Sequence, residues 1–200
     1  MLFVITGPAG SGKSTILRHV LKDMRGLAFS ISHTTRPRRE SESDGREYYF
    51  VSEAEFRALA VRGAFVEWAE VHGHLYGTSR AEIRARCRTG DVVLDIDVQG
   101  ARQVREKIPG AVSVFILPPR FDDLRRRLRD RGEDDEAAIR RRLKNARAEI
   151  REARRFDFLI VNERLNRAVL ELEAIILAGR CRTSVRQKDI RAALAGSRAR

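Results

Sequence analysis

An apolar strand, a glycine-rich turn and a helix follow one another at the start of the chain, and that order constrains the fold more than any other feature. Leu2-Phe3-Val4-Ile5 reads as a short strand, and Gly7-Pro8-Ala9-Gly10-Ser11-Gly12-Lys13-Ser14 fits the pattern G-x-x-x-x-G-K-[ST]. Thr15-Ile16-Leu17-Arg18-His19-Val20-Leu21 then opens an apolar pattern of helical spacing. Glycines without a Cβ let the loop backbone aim successive N–H groups inward, making an anion nest capped by a helix N-terminus. A polyphosphate fits such a nest. Lys13 would reach its outer phosphates, and the Ser14 hydroxyl would join the shell of a Mg²⁺ ion that keeps several waters. A ligand-free glycine turn would not need all four fixed positions and both flanks, so the stretch from Gly7 through Thr15 is read as a site for a nucleoside triphosphate.

Two hundred residues suit one α/β domain, a parallel sheet flanked by helices, with room for insertions too small to fold alone. The 40 Lys and Arg outnumber the 28 Asp and Glu for a net charge of +12, which favours anionic partners. No helix-turn-helix, zinc or RNP-type signature turns that charge into a nucleic-acid reading, so none is expected. Cys87 and Cys181 are too far apart to suggest a ligand pair, the chain opens directly on its first strand, and a reducing cytoplasm is the simplest address. No apolar run approaches the roughly 18 residues needed to span a bilayer, and no membrane association is expected.

Further along, Ala28 to Ile31 is a second short strand, and Ser32-His33-Thr34-Thr35-Arg36-Pro37-Arg38-Arg39 is a basic, proline-broken loop. Asp44-Gly45 predicts a turn, Arg46 to Val51 a strand, and Ser52-Glu53-Ala54-Glu55 a capping box opening a helix. Phe65 to Ala69, with Trp68 assigned to the core, and His74 to Gly77 read as strand pieces, making residues 32–78 a small mixed insertion between core segments 1–31 and 79–178. Ser79 to Arg88 repeats the capping spacing. Val92-Val93-Leu94-Asp95-Ile96-Asp97 ends in two carboxylates where an open α/β sheet binds its ligands, beyond the carboxyl ends of its strands. Val112 to Leu117 and Phe158 to Val161 are further core strands, and Leu165, Val169, Leu172 and Ile176 line a last helix. Gly132-Glu133-Asp134-Asp135 breaks the helical pattern and would let a segment of about residues 129–147 hinge as a lid. Residues 179–200 read as a loosely held basic tail. The arginine runs 125–127 and 140–142 lie mostly on solvated helix faces. His19 and His33 read as surface or packing residues, and His72 and His74 lack a third partner, so no metal ligand is assigned to them.

Seven segments occur together in one order: the loop Gly7 to Ser14, Ile31-Ser32-His33-Thr34-Thr35-Arg36, Glu67-Trp68-Ala69, Tyr76-Gly77-Thr78, Leu94-Asp95-Ile96-Asp97-Val98-Gln99-Gly100, Arg131-Gly132 and Ile160-Val161-Asn162. As a set they resemble guanylate kinase from about Leu2 to Ala178. The resemblance implies a P-loop NTPase fold with a GMP-binding region and a helical lid, and Mg²⁺-dependent transfer of the ATP γ-phosphoryl group to GMP, with dGMP a further acceptor. It assigns Ser32, Glu67 and Asp97 to the guanine base, with Thr78 beside them. One carboxylate can accept from guanine N1–H and N2–H together, and adenine offers no such pair.

Arg36, Arg39, Tyr48 and Tyr76 match the acceptor-phosphate clamp, where a guanidinium forks onto phosphate and a phenol donates. Arginine stands at both candidate second positions, Arg38 and Arg39; Arg39 keeps the distance to Gly45 that the pattern expects. On the donor side the resemblance implies Gly7 to Thr15, Asn162 beside adenine, Asp95 near the metal's water shell, and Lys13 with the lid arginines Arg131 and Arg142 as the positive charge that phosphoryl transfer requires. Two other readings of the same residues are an interaction scaffold, which an intact phosphate loop disfavours, and a kinase for a phosphorylated sugar, which would not need the base-reading set. Oligomeric state is open.

Overall fold

The computed structural model describes residues 1–71, 73–130 and 136–195. In chain order the elements are β1 (Leu2–Thr6), α1 (Lys13–Asp23), β2 (Leu27–Phe29), β3 (His33–Thr34), β4 (Tyr49–Phe50), α2 (Glu53–Val61), β5 (Phe65–Val71), β6 (His74–Ser79) and α3 (Arg80–Cys87). They continue as β7 (Asp91–Asp95), α4 (Val98–Lys107), β8 (Val112–Leu117), α5 (Phe121–Asp130), α6 (Glu136–Glu152), β9 (Phe158–Val161), α7 (Leu165–Arg180) and α8 (Gln187–Ala195).

Five strands form a wholly parallel sheet in the order β2-β7-β1-β8-β9. A parallel sheet is covered on both faces, so its central strands are continuous apolar runs, and β1 is buried along its whole length. Alternation along β1 divides the core. Phe3 and Ile5 pack with Ile16 and Val20 of α1 and Leu172 and Ile176 of α7, while Leu2 and Val4 pack with Ile83 of α3 and Val104 of α4. At the sheet edge β9 buries only Ile160 and leaves Phe158, Leu159 and Val161 exposed, so this strand is a margin of the core rather than its interior.

The insertion is a second sheet, β4-β3-β6-β5, mixed in direction as the sequence suggests. Its α2 begins with the capping box at Ser52 and Glu55, and Phe56 of that helix packs on Phe65 and Leu75. At α3, Ser79 accepts from the Glu82 N–H, but the Glu82 carboxylate accepts from the Ile31 N–H and from Arg86 within the core, and from the Tyr49 hydroxyl of the insertion at 3.4 Å.

Trp68 is not core: it is 42% exposed. The pleat of β5 turns Glu67 and Ala69 toward the cleft between the sheets and so turns Trp68 to the opposite face, where its ring meets Phe56 in a T-shaped pair, centroids 6.2 Å apart. The tail also departs from expectation. Helix α7 continues through Arg180, which donates to Asp91 at 2.6 Å and to the Arg25 carbonyl at 2.9 Å, and residues 187–195 form a helix exposed throughout. The break at 131–135, Arg131 with it, and His72 lie outside the described residues.

Candidate active site

A cleft of about 480 Å³ opens at the carboxyl ends of β1 and β7, between the parallel sheet and the insertion. Its lining includes Gly7, Gly10, Gly12, Lys13, Ser14 and Thr15 of the loop, Asp95 and Asp97 from β7 and the turn after it, Ser32, Tyr48, Glu67 and Tyr76 of the insertion, and Arg142 of α6. Residues 135 positions apart in the chain thus converge on one space, as the switch in strand order about β1 dictates.

The loop is held from behind. Gly12, the N-cap of α1, has φ of 95°, and a Cβ there would collide with the Asn162 amide. That amide, at the end of β9, donates to the Ser11 carbonyl at 2.8 Å, and the Asn162 N–H donates to the Leu117 carbonyl at 2.8 Å. Asn162 is buried, and its amide faces the loop it supports. Arg127 of α5 donates to the carbonyls of Gly10, Ser11 and Asn162 at 3.4–3.5 Å and lines the cleft. Sequence reading missed it, because three consecutive arginines on one helix look alike until the helix is seated. Lys13 donates to the carbonyls of Gly7 and Pro8 at 2.5 and 3.3 Å.

Across the cleft stands a chain of oxygens. Ser32 Oγ lies 3.4 Å from Thr78 Oγ1, which donates to Glu67 Oε1 at 2.5 Å. A register shift between Phe65 and Glu67 sets Glu67 opposite Thr78 on β6; such a bulge re-aims a side chain beside a site. Gly100 makes room, since a Cβ there would strike Glu67 Oε2. Asp97 N-caps α4, accepting from the Gly100 N–H at 2.9 Å and from Gln99 at 3.2 Å, and this cap fixes its carboxylate at the cleft wall.

Burial sets the electrostatics. It pushes the Glu67 carboxyl up to about 7, with the charge of Asp97 adding and the Thr78 hydrogen bond opposing. Asp95 is raised by burial against the pull of Lys13. Glu149, one face of α6 below Arg142, also lines the cleft and is raised by burial, opposed by Lys13; nothing in its sequence context marked it. The Tyr48 phenol is pushed up to about 12, chiefly by burial, so it stays a donor.

A second cavity, about 1040 Å³, continues between the insertion and α6, lined by Arg36, Arg39, Tyr48, Tyr76, Arg141 and Arg142 among others. Arg36 lies over the rings of Tyr48 and Phe50, 5.5 and 5.7 Å from their centroids. Of the two candidate arginines, Arg39 lines this cavity, and Arg38 donates to the Glu42 carbonyl at 2.6 Å.

The family model described as guanylate kinase matches residues 1–179. A guanylate kinase of Geobacter metallireducens is 48% identical over 185 residues, covering 92% of this chain and 91% of the relative. One from Thermotoga maritima is 45% identical over 190 residues, covering 94% and 92%. Among solved structures, the crystal structure of guanylate kinase from Anaplasma phagocytophilum superposes with a TM-score of 0.76 at 33% identity, covering 92% of this chain and 87% of that one.

Proposed function

This chain belongs to the guanylate kinase family and phosphorylates GMP to GDP with ATP, and from that premise we propose which of its residues carry the reaction. ATP lies along Gly7 to Thr15, where the loop N–H groups and the start of α1 hold its phosphates, and Asn162 and Arg127 keep the loop in shape from behind. GMP lies against the second sheet. Glu67 accepts from guanine N1–H and N2–H, Asp97 and Ser32 complete the contacts to the base beside Thr78, and Arg36, Arg39, Tyr48 and Tyr76 bind its phosphate. Lys13, Arg142 and Arg131 supply positive charge around the transferring group. The observation that carries this reading is the hydrogen-bonded line Ser32, Thr78, Glu67 facing the phosphate loop across one cleft.

The residues at the loop mouth suit Mg²⁺. The Ser14 hydroxyl and the Asp95 carboxylate are hard oxygen donors lining the same cleft, the kind of ligand Mg²⁺ takes. Ser14 would bind the ion directly and Asp95 would accept from its waters; bound there, Mg²⁺ offsets charge on the β- and γ-phosphates. Among the described residues no helix is long and apolar enough to cross a membrane, and two free cysteines suit a reducing compartment; we take the setting to be cytoplasmic purine nucleotide metabolism.

A coupled ADP-release assay across GMP, dGMP, AMP, CMP and UMP tests the base-reading assignment. Turnover confined to the two guanine nucleotides is expected, and comparable turnover of AMP would overturn it.

A further inference from the structure

Glu42 is the one carboxylate among the described residues lining the second cavity, set among Arg36, Arg39, Arg141, Arg142 and Lys144. A negative charge beside a phosphate site repels the phosphate, so its presence calls for a compensating effect. Its contacts point to one. Glu42 Oε1 accepts from Arg36 Nη2 at 2.7 Å, and Oε2 accepts from the Arg39 backbone N–H at 2.9 Å. The Glu42 N–H in turn donates to the Arg39 carbonyl at 3.1 Å.

The other edge of the Arg36 guanidinium donates to the Pro37 carbonyl at 2.9 Å, and its face rests over Tyr48 and Phe50. The ion pair is largely sheltered, its side chains 16% and 13% exposed, which sets it apart from a freely solvated surface pair. The hydrogen bond from Arg36 is also the main reason the Glu42 carboxyl titrates below its ordinary range. One carboxylate therefore fastens the side chain of one arginine and the backbone of the other.

We propose that Glu42 is a positioning residue of the acceptor-phosphate clamp: it fixes the Arg36 guanidinium and the backbone at Arg39 in the arrangement that receives the phosphate, acting through them and not on the substrate. This inference rests on the assignment of Arg36 and Arg39 to that clamp. A long side chain that is already ordered loses less freedom when its ligand arrives, and this is how a repulsive charge can still favour binding. The contrary possibility has the opposite sign: a carboxylate that merely competes with phosphate for Arg36 would weaken GMP binding, and removing its charge would tighten it.

Steady-state kinetics of the full chain separate the two. In Glu42→Gln, KM for GMP should rise about tenfold with kcat and KM for ATP little changed, and inhibition by orthophosphate competing with GMP should weaken in parallel. Glu42→Asp, which keeps the charge but is too short to span both partners, should fall between. In an Arg36→Ala background most of the Glu42→Gln effect on GMP binding should disappear, because Glu42 acts through Arg36. An unchanged or lower KM for GMP in Glu42→Gln, or an undiminished effect without Arg36, would overturn the proposal while leaving the clamp intact. Normal GMP kinetics in Arg36→Ala alone would instead remove the clamp assignment on which it rests.

Discussion

Thr78 donates its hydroxyl to Glu67 Oε1 at 2.5 Å from directly across the β5–β6 ladder, and with Gly100 leaving the opposite side open, the carboxylate is buried yet aimed into the cleft. A carboxylate held this way can accept two more hydrogen bonds at little further ordering cost, which suits a base that presents two adjacent donors.

Glu67→Gln keeps the shape and places a donor where an acceptor stood. Leaving a buried polar group unpaired costs about 1–3 kcal/mol, so kcat/KM for GMP should fall by roughly one to two orders of magnitude. KM for ATP should hardly move. IMP, which lacks the exocyclic amine, should be a poor substrate of the unaltered protein and should lose less than GMP on mutation. Equal losses for IMP and GMP would show that another group reads the base.

The same carboxyl predicts a pH dependence. Its value is raised from 4.5 to about 7, so between those pH values the folded protein holds a proton that the unfolded chain releases. This group's contribution to stability is therefore complete below about pH 4.5 and lost as pH rises through about 7. GMP requires the opposite form. As pH falls below about 7 the carboxyl must first lose its proton, so kcat/KM for GMP should decline by up to about tenfold per unit. The phosphate of GMP, with a second pKa of about 6, titrates nearby in every variant. The ratio of unaltered protein to Glu67→Gln isolates the Glu67 contribution; a ratio independent of pH from about 5.5 to 8 would refute it.

Arg142 lines both cavities from α6, and its proposed role is to place charge on the transferring group rather than on the resting nucleotide. Arg142→Ala should therefore lower kcat much more than it raises KM for ATP. A change confined to KM would reassign it to ground-state binding.

Lys13→Ala should leave the fold intact, since the ammonium bonds only loop carbonyls and packs no core, and should remove most turnover. Near-normal activity with an unchanged melting curve would contradict its assignment to the phosphoryl group.

Helix α8 buries no residue, whereas Arg180 ties α7 to Asp91 and Gly179 packs against Phe3. Deleting residues 181–200 should leave activity and melting temperature nearly unchanged, and Arg180→Ala should lower the melting temperature by a few degrees, for a loss of about 1 kcal/mol. A larger loss from the deletion than from the substitution would show that the end of the chain contributes to the fold.

Sequence alone determined the glycine-rich loop, most of the strands and helices, the mixed character of the insertion, and the pairing of Asp95 and Asp97 at a strand end, because each is written in local pattern: hydrophobic period, capping spacing and glycine placement; it did not give β3, which lies in a stretch that reads as a loop, or α8, which lies in one that reads as a loose tail. Resemblance supplied the residues of the base site and clamp, and the fold brings Ser32, Glu67, Tyr76 and Asp97 to one cleft. Only tertiary structure decided the remainder. Which of Arg125, Arg126 and Arg127 meets the loop depends on how α5 is rotated against it, a property of packing that periodicity leaves open. Trp68 is exposed because its neighbour Glu67 must face the cleft and a strand cannot turn both the same way. Glu42 and Glu149 carry no signal in their own neighbourhoods, and Gly100, though part of a segment that marks the resemblance, shows no role there; each matters through a group brought to it from elsewhere in the fold or across its loop, and such contacts exist only once the chain has closed on itself.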